Sequence, residues 1–553
     1  MSPRIVPRQF QPRLPVDEIV LGEKPGDDAI PMDVVFVGAG PAGLAGAIEL
    51  ARLVKADNEK GGSLGEVQIA VLEKAGELGQ ANLSGAVMNP RALRELFPGR
   101  PDSDFPFLRK AVEGESVYLM SERGARRLPT PPTMRNHGNF VVSICEMVRW
   151  LGEQAEQLGV QIFPGFPVAS LLCDGDRVCG VRTVPSGLDR DGKPGSNYEP
   201  AGDIGARVVA LTAGTRDPLT QAWLQKNRVA QKNPQIFALG VKEIWEVKKP
   251  LTQVIHTMGW PLPKDAFGGS WLYPMGDDLV SLGLVVGLDY RQSTLDVHAL
   301  LQKLKQHPLV SDVLRGGSLD EWGAKTIPEG GYWSLPDRLC GDGIVICGDA
   351  AGLVDVPSLK GIHYAMQSGI YAARAIFAAL KNDDCSHKTL SAYDKALRDS
   401  YVVADMKRTR NMRLAFKAGF WMGGLKAGLM TISGGRLFGG PMHVEEDAAE
   451  AKEVTPLTHP EADGTLTFRK VDAVFKSGNA TRDSVPQHLV VGEDVPADVA
   501  AMYEALCPAH VYEVQDGKLV VNAPNCIDCK ATDVIGPRWT PREGGSGPRY
   551  RRM

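Results

Sequence analysis

The sequence predicts an α/β (α+β multidomain) protein: a dinucleotide-binding domain, a second domain built on a sheet, and a small cysteine-bearing module near the C-terminal end. Three observations carry this. A buried strand, glycine turn and helix occupy residues 33–50, a second such arrangement occupies 342–380, and Cys507, Cys526 and Cys529 flank an alternating hairpin. At 553 residues the chain is too long for one hydrophobic core.

Composition is that of a globular protein, 43% hydrophobic and 23% charged, and the net charge of -4 argues against a nucleic-acid partner. Six of the nine cysteines (Cys145, Cys173, Cys179, Cys340, Cys347 and Cys385) are scattered. An odd total without a regular framework reads as core thiols in a reducing compartment. Residues 1–31 read as an extended arm, because Pro3, Pro7, Pro12 and Pro15 interrupt the run that holds Arg4, Arg8 and Arg13. The arm lacks the apolar stretch of a secretory signal, and no apolar run reaches the ~18 residues of a membrane span.

The first element, "DVVFVGAGPAGLAGAIEL", sets Gly38, Gly40 and Gly43 in G-x-G-x-x-G between a strand and a helix. The first glycine permits the tight turn, the second lets backbone approach a pyrophosphate, and the third lets helix pack on strand. The acidic partner is expected at the end of the next strand, "VQIAVLEKAGELG", as Glu73, holding the adenosine ribose hydroxyls. It lies thirty residues past Gly43, a delay that the loop "KADNEKGGSLGE" accounts for. The competing reading of Glu73 is a helix cap.

The second element, "DGIVICGDAAGLVDVPSLKGIHYAMQSGIYAARAIFAAL", ends a buried strand in Gly348-Asp349 and continues into a long helix. It resembles the second flavin motif of the glutathione-reductase-type family, whose aspartate meets the ribityl chain. The helix N-terminus would face the flavin and stabilise negative charge on its reduced ring. Two separated motifs favour FAD over NAD, against a reading of Asp349 as a plain cap.

Between and after these motifs stand "LSGAVMNPRAL", "NHGNFVVSICEMVRWLGEQAEQLGVQIFPGF", "PQIFALGVKEIWEV", "HTMGWPL", "FGGSWLYP", "EGGYWSLP" and "HPEADGTLTF". Together they resemble the electron-transfer flavoprotein:ubiquinone oxidoreductase family over about residues 32 to 546. The resemblance implies three interwoven domains that carry FAD, one [4Fe–4S] cluster and bound ubiquinone. It implies electron transfer from reduced electron-transfer flavoprotein to the membrane quinone pool. It adds Ser84, Gly85 and Gly361 to the FAD residues, and Gly268 and Gly269 as the backbone that meets the quinone headgroup. The alternative for that glycine pair is a turn.

Residues 511–521 alternate about an Asp516-Gly517 turn, a hairpin that returns Cys507 to the Cys526-x-x-Cys529 pair. Zinc could use such thiols, but the resemblance favours an iron–sulfur cluster. The family supplies a fourth cysteine where this chain has Thr532. Three readings stay open: a [4Fe–4S] cluster with an oxygen ligand (Asp533, Asp528, Thr532 or hydroxide), a [3Fe–4S] cluster, or loss of the cluster.

From 406 to 444 the chain has no Asp or Glu but seven Lys or Arg, interleaved with Phe416, Phe420, Trp421, Leu425 and Leu429. This pattern suits a segment lying on anionic lipid, with a basic-faced core helix as the alternative. Near the flavin, His363 and Lys360 are candidate catalytic groups. Expected domains are FAD-binding (32–225 and 320–405), ubiquinone-binding and membrane-surface (226–319 and 406–444) and a ferredoxin-like iron–sulfur module (455–546), after a polar linker that begins at Glu445. The expected site is the cytoplasmic face of a bacterial inner membrane, or the matrix face in a mitochondrion. The competing functions are a geranylgeranyl-type lipid reductase on the same FAD architecture and a flavoprotein scaffold without a cluster.

Overall fold

A computed structural model describes residues 3–276 and 278–553. Two sheets dominate it. In the first, parallel strands run in the order Gln161–Pro164, Ile69–Glu73, Ile30–Val37 and Asp203–Leu211, and Ile344–Ile346 also pairs parallel with the last. Val34, Val35, Phe36, Ala70, Val71, Val208 and Val209 are fully buried, as expected of parallel strands covered on both faces. Helices Pro41–Glu59 and Ile362–Lys381 cross closely because glycines meet there. A Cβ on Gly369 would lie 3.0 Å from the Gly46 nitrogen.

The second sheet runs Ser318–Pro328, Phe237–Glu246, Leu279–Gly287, Gly268–Pro274, Val254–Gly259, Glu115–Met120 and Ala125–Leu128. It crosses the expected domain boundaries at both ends. Two strands from within 32–225 extend one edge, and the strand Ser318–Pro328 forms the other. The reason lies in pairing: Val254–Gly259 takes Glu115–Met120 as a parallel neighbour over six residue pairs, a long-range match that local pattern does not announce.

Two further segments pair at long range. The extended arm is tied down, with Arg4–Ile5 pairing Lys452–Glu453 and Val20–Leu21 adding to the first sheet. The linker also contains buried structure. Lys452 is buried and donates to the carbonyls of Leu288 and Tyr290, both at 2.6 Å, and Asp447 accepts the Phe237 amide at 2.7 Å.

In the C-terminal module, helix Ala497–Leu506 ends at Cys507. The hairpin Tyr512–Gln515 and Lys518–Val521 turns through Asp516 (φ 49°) and Gly517 (φ 74°), as the alternation predicts. Helix Phe420–Ile432 leaves Trp421 (77%), Leu425 (60%) and Ile432 (87%) exposed. Among the described residues, no helix is long and apolar enough to cross a membrane.

Candidate functional site

A cavity of about 2380 Å³ lies between the two sheets. One wall is the first sheet's glycine turns. The other is a face of the second sheet, on which strand alternation sets Lys325, Gly240, Val285, Gly269, Trp271, Tyr273 and His256 side by side. Gly38, Gly40, Glu73, Ser84, Gly85, Gly348, Asp349, Lys360, Gly361, Gly268 and Gly269 all line it. Gly43 is not a lining residue; it supports the turn from below. A Cβ there would come within 2.7 Å of Thr212 Oγ1, whose hydroxyl donates to the Gly38 carbonyl at 2.8 Å.

The Glu73 carboxylate is held from both sides, accepting the amides of Ala39 at 3.1 Å and Ala75 at 2.9 Å. Across the cavity, burial pushes the Asp349 carboxyl up to about 6, against a lowering by Lys325. The N-terminus of helix Ile362–Lys381 opens beside it at Gly361 and adds positive potential. Lys360 donates from Nζ to Asn136 Oδ1 (2.8 Å) and the Ser358 carbonyl (3.1 Å), and burial pulls its ammonium down to about 8. These residues fit a flavin dinucleotide: a cradle without side chains at Gly38 and Gly40, a fixed carboxylate, and a positive end.

His363 and Lys360 separate. His363 is absent from the cavity wall; its ring lies 4.1 Å from that of Tyr364 and stacks with Tyr401 at 6.2 Å. Sequence reasoning missed His256, which does line the cavity. Its Nε2 meets the Tyr273 hydroxyl at 2.8 Å, its Nδ1 has no hydrogen-bond partner, and burial pulls the imidazole down to about 3. Each is a lone histidine in an apolar run, so only strand pairing separates them.

The three cysteines are buried thiols. The Tyr512 phenol interacts electrostatically with all three. The loop between them closes through left-handed Asp528 (φ 53°) and Lys530 (φ 62°). Burial raises each thiol, Cys526 to about 12. Arg542 and Lys325 act in the opposite direction on Cys526 and Cys529 respectively, and Lys470 does so on Cys507. The donor set fits three corners of an iron–sulfur cluster.

The loop abuts the cavity. The Thr326 amide donates to the Cys529 carbonyl, and Lys325 Nζ donates to the Asp528 carbonyl at 3.2 Å, both from a strand that lines the cavity wall.

A family pattern described as ETF-QO, ubiquinone-binding, matches residues 237–327. A second, described as electron transfer flavoprotein-ubiquinone oxidoreductase, 4Fe-4S, matches 464–551. The mitochondrial electron transfer flavoprotein-ubiquinone oxidoreductase of Arabidopsis thaliana is 37% identical over 95% of this chain and 85% of its own length. The chain belongs to the electron transfer flavoprotein-ubiquinone oxidoreductase family. The human mitochondrial member is 34% identical (94% of this chain, 89% of its own length). The probable member from Acinetobacter baylyi is 33% identical (95% and 99%). As a member of this family of quinone oxidoreductases, the chain carries both the ubiquinone-binding and the 4Fe-4S domain. A geranylgeranyl bacteriochlorophyll reductase-like protein from Thermoplasma acidophilum shares the fold, with a TM-score of 0.57 at 18% identity over 74% of this chain and 92% of its own. The flavin-dependent brominase Bmp2 does so with a TM-score of 0.51 at 18% identity, over 74% and 94%. That likeness is of fold alone, while sequence identity over the full length lies with the oxidoreductases, so a lipid reductase is not the favoured reading.

Proposed function

We propose that this protein takes electrons singly from reduced electron-transfer flavoprotein and delivers them in pairs to ubiquinone at a membrane surface. The cofactors supply the chemistry: a cluster exchanges one electron, a flavin one or two, and ubiquinone is spent as a two-electron acceptor. The chain's residues hold and bias them. Gly38, Gly40 and Gly43 frame a pyrophosphate, Glu73 the ribose, and Ser84, Gly85, Gly348, Asp349 and Gly361 the rest of an FAD in a glutathione-reductase-type domain. Lys360 and the helix end beyond it favour negative charge on a reduced ring. Gly268 and Gly269, both on the cavity wall, present backbone to the quinone headgroup. Cys507, Cys526 and Cys529, in a ferredoxin-like module, hold the cluster.

The observation that carries this reading is the continuity of one cavity. Its lining runs from Gly38 and Asp349, past Gly268 and Gly269, to Trp421, Gly424, Gly428 and Ile432 of the exposed apolar helix. A lipid-soluble substrate could enter from a membrane by that helix and reach the flavin end without crossing water. Helix Phe420–Ile432, with basic residues around it, supports peripheral attachment to anionic lipid, on the cytoplasmic face of a bacterial inner membrane.

The test uses purified, lipid-reconstituted protein and a ubiquinone analogue. Reduced electron-transfer flavoprotein should drive quinone reduction, with flavin bleaching as an intermediate signal. Flavin-loaded protein that takes no electrons from that donor would end the proposal.

A further inference from the structure

A four-iron cluster requires four donors, and the loop offers three thiols. Resting on the cluster reading above, the question is what meets the fourth iron. Asp528 is already committed. Its Oδ1 accepts Trp539 Nε1 at 2.9 Å, Arg542 Nη2 at 3.0 Å and the Cys526 thiol at 3.7 Å, and its Oδ2 pairs with Lys74. Asp533 is committed as well. Its Oδ2 accepts Arg216 Nε at 2.7 Å, and its Oδ1 accepts the Trp539 amide at 3.0 Å with Arg538 at 3.6 Å. Turning either carboxylate toward iron would strand buried guanidinium groups.

His488 is buried with neither ring nitrogen partnered. It gathers with Cys526 and Asp528 within 4.8 Å, a group that takes in neither Cys507 nor Cys529. Thr532 is different. It is buried beside the Tyr512 phenol, whose buried hydroxyl has no hydrogen-bond partner within the chain. A neutral alcohol is a weak iron ligand beside thiolates. Two hydroxyls are, however, well suited to hold a water or hydroxide between them.

We propose that three thiolates hold the cluster and that its fourth iron, facing Thr532 and Tyr512, carries an exchangeable ligand: water or hydroxide at rest, a small thiolate when one is supplied. Exchange moves no electron. The incoming thiol gives its proton to solvent, an Fe–S bond forms, and the Fe–O bond to water breaks. Mild oxidation by ferricyanide should remove that iron. A [4Fe–4S]2+ cluster becomes [3Fe–4S]+ with release of Fe2+ and one electron, which ferricyanide takes up.

The experiment is paramagnetic resonance with iron counting on the anaerobically purified holoprotein. Wild type should release one ferrous ion per cluster on ferricyanide treatment, show a three-iron signal, and regain four irons with Fe2+ and dithionite. Mercaptoethanol should change the spectrum of its reduced cluster. Thr532→Cys should keep four irons through the same oxidation and ignore the added thiol. Wild-type protein that keeps four irons and ignores the thiol overturns the inference. So does histidine-nitrogen coupling in 15N-histidine-labelled protein, which would make His488 the ligand, or a three-iron cluster that accepts no fourth iron. Protein without iron overturns this inference and the cluster in the proposed function together, whereas an inert fourth corner overturns this inference alone.

Discussion

The Thr326 amide and the Cys529 carbonyl are joined by a hydrogen bond of 3.0 Å. This bond fixes the cysteine loop to the strand that forms part of the cavity wall, so the two proposed redox centres share one rigid element. Lys325, the neighbour of Thr326, acts on both sides: it interacts with Cys529 and Asp528 on one and with Glu73 and Asp349 on the other.

Lys325→Met is therefore expected to lower the reduction potentials of the cluster and the flavin together. A unit charge about 10 Å away at an effective dielectric of about 20 contributes about 1.7 kcal/mol, or roughly 70 mV per electron. Spectroelectrochemistry of wild type and variant measures both centres in one titration. Unshifted potentials would mean that neighbouring carboxylates cancel this charge.

Lys360 carries a stability cost with a definite pH dependence. Burial holds its ammonium at about 8 in the folded chain, against an ordinary value of 10.5. Between those two values the unfolded chain binds more protons, so stability rises with pH across that window. Below pH 8 the whole penalty stands, about 3 kcal/mol. Lys360→Met should stabilise the flavin-free protein by up to that amount at pH 7 and by almost nothing above pH 10.5. Asn136 Oδ1 keeps a donor in Asn139 Nδ2 at 3.2 Å. Urea unfolding at pH 7 and at pH 10.5 tests the sign. The same variant should bind reduced flavin less tightly.

Trp421, Leu425 and Ile432 project from helix Phe420–Ile432. Burying each in lipid is worth about 1.5–3 kcal/mol. Replacing all three by serine should weaken binding to anionic vesicles at least ~100-fold and leave the melting temperature unchanged. Salt should weaken the remaining binding, because the basic residues around the helix act through screened charge. Vesicle co-sedimentation at two ionic strengths separates the contributions.

Arg413 is buried between Asp289 (2.9 Å) and Glu329 (2.8 Å), its guanidinium 4.0 Å from the Phe267 ring centroid. Arg413→Met would leave two buried carboxylates facing each other and should cost about 3–5 kcal/mol. Adding Asp289→Leu and Glu329→Leu should restore most of that loss. If the single variant melts with wild type, the triad is not a structural lock on this side of the cavity.

Some of the site was legible because its chemistry is local. The glycine turn at Gly38–Gly43, the Gly348-Asp349 strand end and the hairpin before Cys526 each need special backbone within a few residues, and such needs leave a spelling. His256 left none. Its place on the cavity wall depends on the pairing of Val254–Gly259 with Gly268–Pro274 and Glu115–Met120. One residue's slip in that register would turn its ring to the opposite face. His363 shows the reverse case: it lies two residues beyond Gly361, yet the helix turns it toward Tyr364 and Tyr401. The pairing of the arm with the linker left no local mark for a related reason, since Arg4–Ile5 and Lys452–Glu453 meet only across the folded chain.

By itself the chain's order of residues determined the cradle for a dinucleotide, the count of thiols and the basic, acid-free stretch that ends near Val444. Those features rest on backbone conformation, donor type and net charge, which neighbours along the chain decide. Only the tertiary structure decided that Asp528 and Asp533 are spent on arginines, lysine and tryptophan, that Thr532 stands with Tyr512, and that one cavity joins the glycine turns to the exposed helix. Each of those depends on groups brought together from hundreds of residues apart, where packing and charge pairing, rather than local propensity, choose the partner.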